Sequence, residues 1–196
     1  MSHPAPDQRP QVNPPPERFN AAAHLLALNR ERGATLAYID DTRRLTYAEL
    51  AEQVRRCAAG LLALGLRREE RVLMVMHDGI DFPVAFLGAL YAGLVPVPVN
   101  TLLTADDYAY MLEHSAAGAV LVSAPLWPTL RAAMKDRASP PVIVSGASEA
   151  PAGTRPFDSL LGAPPLAAPA DTRADDFGFW LYSSGSTGRP KGAVHT

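Results

Sequence analysis

The chain has 196 residues, 47% hydrophobic and 19% charged, with a formal net charge of −2 and a pI near 6.2. That is globular composition, sufficient for one sizeable core or for one core and part of another. It offers no basic footprint for nucleic acid or an anionic membrane, and its single cysteine, Cys57, permits neither an intramolecular disulfide nor a cysteine-built metal site.

Residues 1–18 are polar and proline-rich without an apolar run of signal-peptide length, so they read as a disordered arm on a protein of the reducing cytoplasm. A helix is expected from Asn20 to near Gly33, then a hairpin pairing Leu36–Asp40 with Arg43–Leu45. Thr46 and Glu49 form a capping box. The helix it opens should end at Gly65, where glycine tolerates a left-handed backbone. Leu50, Val54, Cys57 and Leu61 make its apolar stripe, which assigns Cys57 to the core. Arg67–Arg68, interleaved with Glu69–Glu70, reads as a solvated turn.

Arg71–Met76 is apolar on both faces, the pattern of a buried parallel strand. Asp81 is placed to cap a helix that tolerates Pro83 in its first turn and ends at Gly93. Val95–Val99, carrying Pro96 and Pro98, suits an edge or irregular strand. The apolar run from Phe82 to Val99 is broken by prolines and glycines and is no membrane span. Thr104 opens a helix over 105–116, Ala119–Ser123 is a strand, Leu126–Arg137 a helix and Val142–Val144 a strand. This alternation predicts an α/β fold, a doubly wound, mainly parallel sheet with flanking helices. Residues 19–145 form the first subdomain and 146–174 a Pro/Ala-rich connecting segment between two sheets. Residues 175–196 begin a second subdomain.

There an aromatic strand, Phe177–Tyr182, runs into Ser183-Ser184-Gly185-Ser186-Thr187-Gly188-Arg189-Pro190-Lys191-Gly192. Glycines allow a tight turn whose amides point inward and cradle phosphate oxygens. The hydroxyls of Ser183, Ser184, Ser186 and Thr187 can donate to phosphate or join the shell of a bound Mg2+, and Lys191 adds a mobile positive charge. A Walker A loop is excluded, because Pro190 precedes the lysine and no helix starts on it. Composition alone also fits a Ser/Gly surface spacer; the aromatic strand that feeds the loop and its Pro-Lys-Gly end argue against one.

The ten residues Ser183–Gly192 match, position by position, the phosphate-binding motif of the acyl-adenylate-forming superfamily, which includes acyl-CoA synthetases, adenylation domains of peptide synthetases and beetle luciferases. The chain resembles this family from Phe19 to Thr196. The stretches Met76–Phe86, Val97–Tyr108 and Phe179–Tyr182 are most similar to benzoate–CoA ligases and their 4-hydroxybenzoate relatives.

The resemblance implies the amino-terminal part of the large domain of an adenylating enzyme, a soluble cytoplasmic acid–thiol ligase whose substrates are an aromatic carboxylate, ATP with Mg2+, and CoA. No nucleic-acid or membrane partner is implied. Ser183, Ser184, Gly185, Ser186, Thr187, Gly188, Lys191 and Gly192 would bind the β- and γ-phosphates, with Thr187 also assigned to Mg2+ through ATP. No catalytic residue is assigned within the chain. Family segments for adenine, ribose and acyl group lie beyond Thr196, so residues 1–196 alone are expected not to adenylate, and the aromatic strand is expected to lack sheet partners.

Weaker candidates have plainer explanations. His195 can approach an acyl site but fits a packed strand histidine better. Asn100, Thr101 and Tyr108 can line a cleft, but capping by Thr104 accounts for part of that polarity. His77 and Asp78 are turn residues, Phe179 and Trp180 core, and His24 and His114 lack metal spacing. Two alternatives stay open: another acceptor or acid within the superfamily (a carrier-protein adenylation module or a fatty acyl–CoA synthetase), and a non-enzymatic α/β interaction domain.

Overall fold

The computed structural model describes residues 14–134, 140–147, 149–183 and 189–196. Asn20 opens α1 (Ala21–Leu28): its Oδ1 accepts from the Ala23 amide at 3.0 Å while its Nδ2 donates to the Leu90 carbonyl at 2.9 Å. The helix stops at Leu28, short of the expected Gly33, and a 3-10 turn at Arg30–Arg32 follows. β1 (Leu36–Ile39) and β2 (Arg44–Thr46) form the expected antiparallel hairpin.

α2 (Tyr47–Ala63) begins on the capping box, with the Thr46 amide donating to Glu49 Oε2 at 2.8 Å and the Glu49 amide donating to Thr46 Oγ1 at 3.3 Å. Its stripe of Leu50, Val54, Cys57 and Leu61 is fully buried. Burial pushes the Cys57 thiol well above its ordinary range, which leaves it inert. The chain leaves α2 through Gly65 at φ 90°, the conformation glycine adopts cheaply.

Strand and helix then alternate through β3 (Arg71–Val75), α3 (Asp81–Tyr91), β4 (Val95–Pro98), α4 (Ala105–Ser115), β5 (Ala119–Ser123), α5 (Trp127–Ala133) and β6 (Val142–Ser145). The strands join β7 (Arg155–Pro156) in one sheet of order β4-β3-β5-β6-β7, with every neighbouring pair parallel. Alternation along each strand splits the core in two. Val72, Met74, Leu121 and Ile143 pack with α2 and α3 on one face, and Leu73, Val75, Val120, Val122 and Val144 pack with α4 and α5 on the other. That is the doubly wound arrangement that the alternation of strands and helices predicts. At the edge, the Val95 and Val99 amides donate to the Glu70 and Met74 carbonyls, each at 3.0 Å. Pro96 and Pro98 therefore turn their nitrogens away from β3, and the ladder loses no donor. No helix among the described residues is long and apolar enough to cross a membrane.

Several expectations need correction. Asp81 does not cap α3, because Ile80 before it is already helical (φ −59°, ψ −32°) and Asp81 is the first helical residue. Its carboxylate instead accepts from Arg43 Nη1 at 2.7 Å and Ser145 Oγ at 2.6 Å, tying the hairpin to the carboxyl end of β6. α5 starts only at Trp127, after a 3-10 turn at Ala124–Leu126, and the remainder of the expected helix, 135–137, lies outside the described residues. Arg68 is not simply solvated: it donates to the Asp171 carbonyl at 2.9 Å and pairs with Asp176. The described part of the connecting stretch 146–174 is no simple spacer, since it carries β7 and α6 (Asp158–Leu161) and buries Phe157 and Leu160 in the core. Of the expected arm, residues 14–18 are described, and Arg18 bridges antiparallel to Arg173.

Asp40 locks the hairpin to the head of α3. Its Oδ2 accepts from the Ile80 amide at 3.1 Å, and its Oδ1 from the Thr42 and Arg43 amides at 3.0 and 2.7 Å. The Ile80 and Thr42 amides, with Arg43, hold its carboxyl far below the usual carboxylate range. A depressed folded-state pKa stabilises above the unfolded value of about 3.9 and ceases to do so as the pH falls through and below it. Asp40→Asn is therefore expected to lower stability at pH 7 and to flatten its decline between roughly pH 5 and 3, as read by urea unfolding across that range. An unchanged acid limb would remove Asp40 from the linkage.

Candidate functional site

The described ends of the stretch singled out by the sequence, Ser183 and Lys191–Gly192, belong to a separate two-stranded sheet. β8 (Phe179–Ser183) pairs antiparallel with β9 (Lys191–His195) in the register Ser183↔Lys191, Tyr182↔Gly192, Leu181↔Ala193, Trp180↔Val194 and Phe179↔His195. The aromatic strand thus has a partner, contrary to expectation. The reason is local: two strands close in sequence can pair with each other, without a strand from elsewhere in the chain. A strand also follows the lysine where a P-loop would place a helix, so the exclusion of a Walker A loop holds.

Register and pleat sort the side chains. Trp180, Tyr182, Gly192 and Val194 share the face toward α4, and Trp180 and Tyr182 pack against the core cluster there. Phe179, Leu181, Ser183, Lys191, Ala193 and His195 share the other face, on which Ser183 and Lys191 are both exposed. Cross-strand partners in an antiparallel pair have Cα atoms about 4.5–5.5 Å apart. The chain therefore brings a hydroxyl and an ammonium side by side at the mouth of the turn, a donor pair suited to polyphosphate oxygens. Ser184, Gly185, Ser186, Thr187 and Gly188 lie outside the described residues.

Gly192 has a packing reason of its own. A Cβ there would fall 1.8 Å from Nε1 of Trp180, so the indole occupies the space a side chain would take. That nitrogen is buried and without a hydrogen-bond partner among the described residues.

The remaining candidates separate clearly. His195 stacks on Phe179 at 4.5 Å between ring centroids, and Phe179 in turn meets Phe86 at 5.7 Å. Tyr108 is fully buried and its hydroxyl donates to the Asn100 carbonyl at 3.0 Å, so it lines no cleft. Asn100 Oδ1 accepts from the Leu102 amide at 2.8 Å, a turn contact. The His77 amide donates to Ser123 Oγ at 2.9 Å, joining the carboxyl ends of β3 and β5. Among the described residues no group of three or more His, Cys, Asp or Glu side chains is placed to hold a metal ion.

One group escaped the sequence reading. Tyr110 and His114 of α4 lie against the flanks of the loop, and the Tyr182 hydroxyl is 2.9 Å from His114 Nδ1. Burial pushes the Tyr182 hydroxyl up to about 12, so it stays a proton donor at neutral pH. The signal was present as two rings at i and i+4 on a helix, but nothing local says which strand they meet.

A protein family described as AMP-binding enzyme matches residues 27–196. A benzoate–CoA ligase of Thauera aromatica is 47% identical over 186 residues, covering 92% of this chain and 34% of the relative. Among solved structures, a benzoate CoA ligase from Burkholderia xenovorans superposes with a TM-score of 0.82 at 48% identity, covering 91% of this chain and 34% of the other. An anthranilate CoA ligase in complex with anthranoyl-AMP superposes with a TM-score of 0.87 at 26% identity, covering 92% and 35%. The chain thus spans about a third of the length of the relatives it matches.

Proposed function

The chain belongs to the AMP-binding enzyme family, and on that premise we propose that the protein carrying it is an ATP-dependent acid–CoA ligase acting on benzoate or a related aromatic carboxylate. The observation that carries this reading is the pairing of Ser183 with Lys191 at the mouth of the ten-residue loop. The 47% identity to a benzoate–CoA ligase supports the aromatic substrate class.

In the proposed reaction a carboxylate oxygen attacks the α-phosphorus of ATP. The bond to the bridging oxygen breaks, pyrophosphate leaves, and an acyl-adenylate remains. The CoA thiolate then attacks the acyl carbonyl and expels AMP. Such a step is governed by positioning and by neutralising charge on the phosphate oxygens. Lys191 and the hydroxyls of Ser183, Ser184, Ser186 and Thr187 would hold the β- and γ-phosphates and stabilise the departing pyrophosphate. Gly185, Gly188 and Gly192 would let the backbone approach. Mg2+, when bound with the nucleotide and contacted by Thr187, would supply further charge neutralisation.

The test is carboxylate-dependent ATP–pyrophosphate exchange by the full-length protein, followed by thioester formation on adding CoA. Benzoate or a hydroxybenzoate is expected to stimulate exchange and long-chain fatty acids are not. Stimulation by fatty acids alone would move the substrate class. Absence of exchange with every acid would leave the α/β interaction domain as the better account.

A further inference from the structure

α4 carries two rings one helical turn apart, Tyr110 and His114, which stack with centroids 5.3 Å apart and to which the reaction above gives no task. Each reaches a different flank of the Ser183–Gly192 loop. On the incoming strand, His114 Nδ1 meets the Tyr182 hydroxyl at 2.9 Å, and the imidazole stands edge-on to Trp180 and Tyr182 at 5.5 and 5.7 Å. On the outgoing side, the Tyr110 hydroxyl donates to the Pro190 carbonyl at 3.2 Å, and the Arg189 guanidinium lies 5.1 Å over the Tyr110 ring. A single turn of a helix in the first sheet layer therefore grips the loop on both sides.

We propose that Tyr110 and His114 are positioning residues for the adenylation step: acting through Pro190 with Arg189 and through Tyr182, they hold the flanks of the phosphate loop in binding geometry. The proposal rests on the ligase reading given above. Glycine loses more conformational freedom on ordering than any other residue, and binding phosphate through backbone amides requires an ordered backbone. Fixing both flanks beforehand removes part of that cost from the binding event. α4 can supply this because it is anchored independently. Its Tyr108 and Met111 are buried in the core, and its capping box joins the Thr104 hydroxyl to Asp107 at 2.7 Å. Tyr110 and His114 thus transmit the rigidity of the first layer to a hairpin in the second.

The test compares Tyr110→Phe, His114→Leu and His114→Asn with the wild-type full-length protein. Tyr110→Phe removes one hydroxyl and leaves the ring under Arg189. His114→Asn keeps an acceptor for Tyr182, and His114→Leu does not. Tyr110→Phe and His114→Leu are each expected to raise KM for ATP in pyrophosphate exchange about three- to tenfold, the size of one neutral hydrogen bond, and His114→Asn to recover most of the loss. Thioester formation from supplied acyl-adenylate and CoA involves no β- or γ-phosphate and should stay within about twofold of wild type. An unchanged KM for ATP would overturn the proposal, as would an equal fall in both half-reactions accompanied by a lower Tm, which marks general loosening. If wild-type protein shows no exchange with any aromatic acid, the ligase reading fails. The clamp is then decided by calorimetric affinity for Mg·ATP, and equal affinity across the four proteins overturns it.

Discussion

Lys191→Ala in the full-length protein is expected to slow carboxylate-dependent ATP–pyrophosphate exchange by about tenfold to a hundredfold, while thioester formation from supplied acyl-adenylate is nearly unchanged. A charge-assisted hydrogen bond to phosphate contributes roughly 1.5–3 kcal/mol, and about 1.4 kcal/mol corresponds to a factor of ten. Lys191 is the first residue of β9, exposed and level with Ser183 across the hairpin. Its truncation removes no buried contact, so the fold should survive and the loss should fall on the nucleotide step. Lys191→Arg separates charge from shape. It keeps the cation but replaces a compact, rotatable ammonium with a planar fork, and it should recover only part of the rate. Exchange within about twofold of wild type for Lys191→Ala would exclude the lysine from phosphate binding.

What the sequence discloses about this fold follows from the range of its signals. Apolar runs such as Arg71–Met76 and caps such as Thr46–Glu49 are local signals, and they place β3 and α2 within a residue or two of their observed ends. Gly65 and Gly93, both at positive φ, likewise mark helix ends that chemistry alone predicts. The failures involve partners far apart in the chain. Arg68 looks like a solvated turn residue until Asp171 and Asp176 are brought beside it. β7 and α6, of two and four residues, are too short to show a period, so the stretch holding them read as a spacer. Ala116 takes a left-handed backbone at φ 46° that alanine does not advertise, held by Arg71 Nη2 donating to its carbonyl at 3.2 Å. The same limit applies at the site: Ser183–Gly192 is legible as a motif, whereas the grip of Tyr110 and His114 depends on packing between layers.

Gly60→Ala is the sharpest test of that packing, because local helix propensity and long-range packing predict opposite signs. Gly60 lies inside α2, where alanine should stabilise a helix by about 0.5–1 kcal/mol. A Cβ at this position, however, would stand 2.4 Å from the carbonyl oxygen of Leu160 and 2.6 Å from its Cα. Those atoms are backbone, so no rotamer change relieves the overlap. Either α6 moves off α2, which uncovers Phe157 and Leu160, or α2 itself shifts against the sheet. Overpacking of this kind typically costs about 1–3 kcal/mol. The clash should therefore exceed the helical gain and leave a net loss on the order of 1–2 kcal/mol. For a domain of this size that is a fall in Tm of roughly 2–8 °C, measured by calorimetry on the full-length protein. A rise in Tm would mean that α6 docks loosely and that the connecting stretch is a tether after all. A fall would show that the proline- and alanine-rich segment is part of the core, held backbone against backbone through a glycine that local helix propensity would replace.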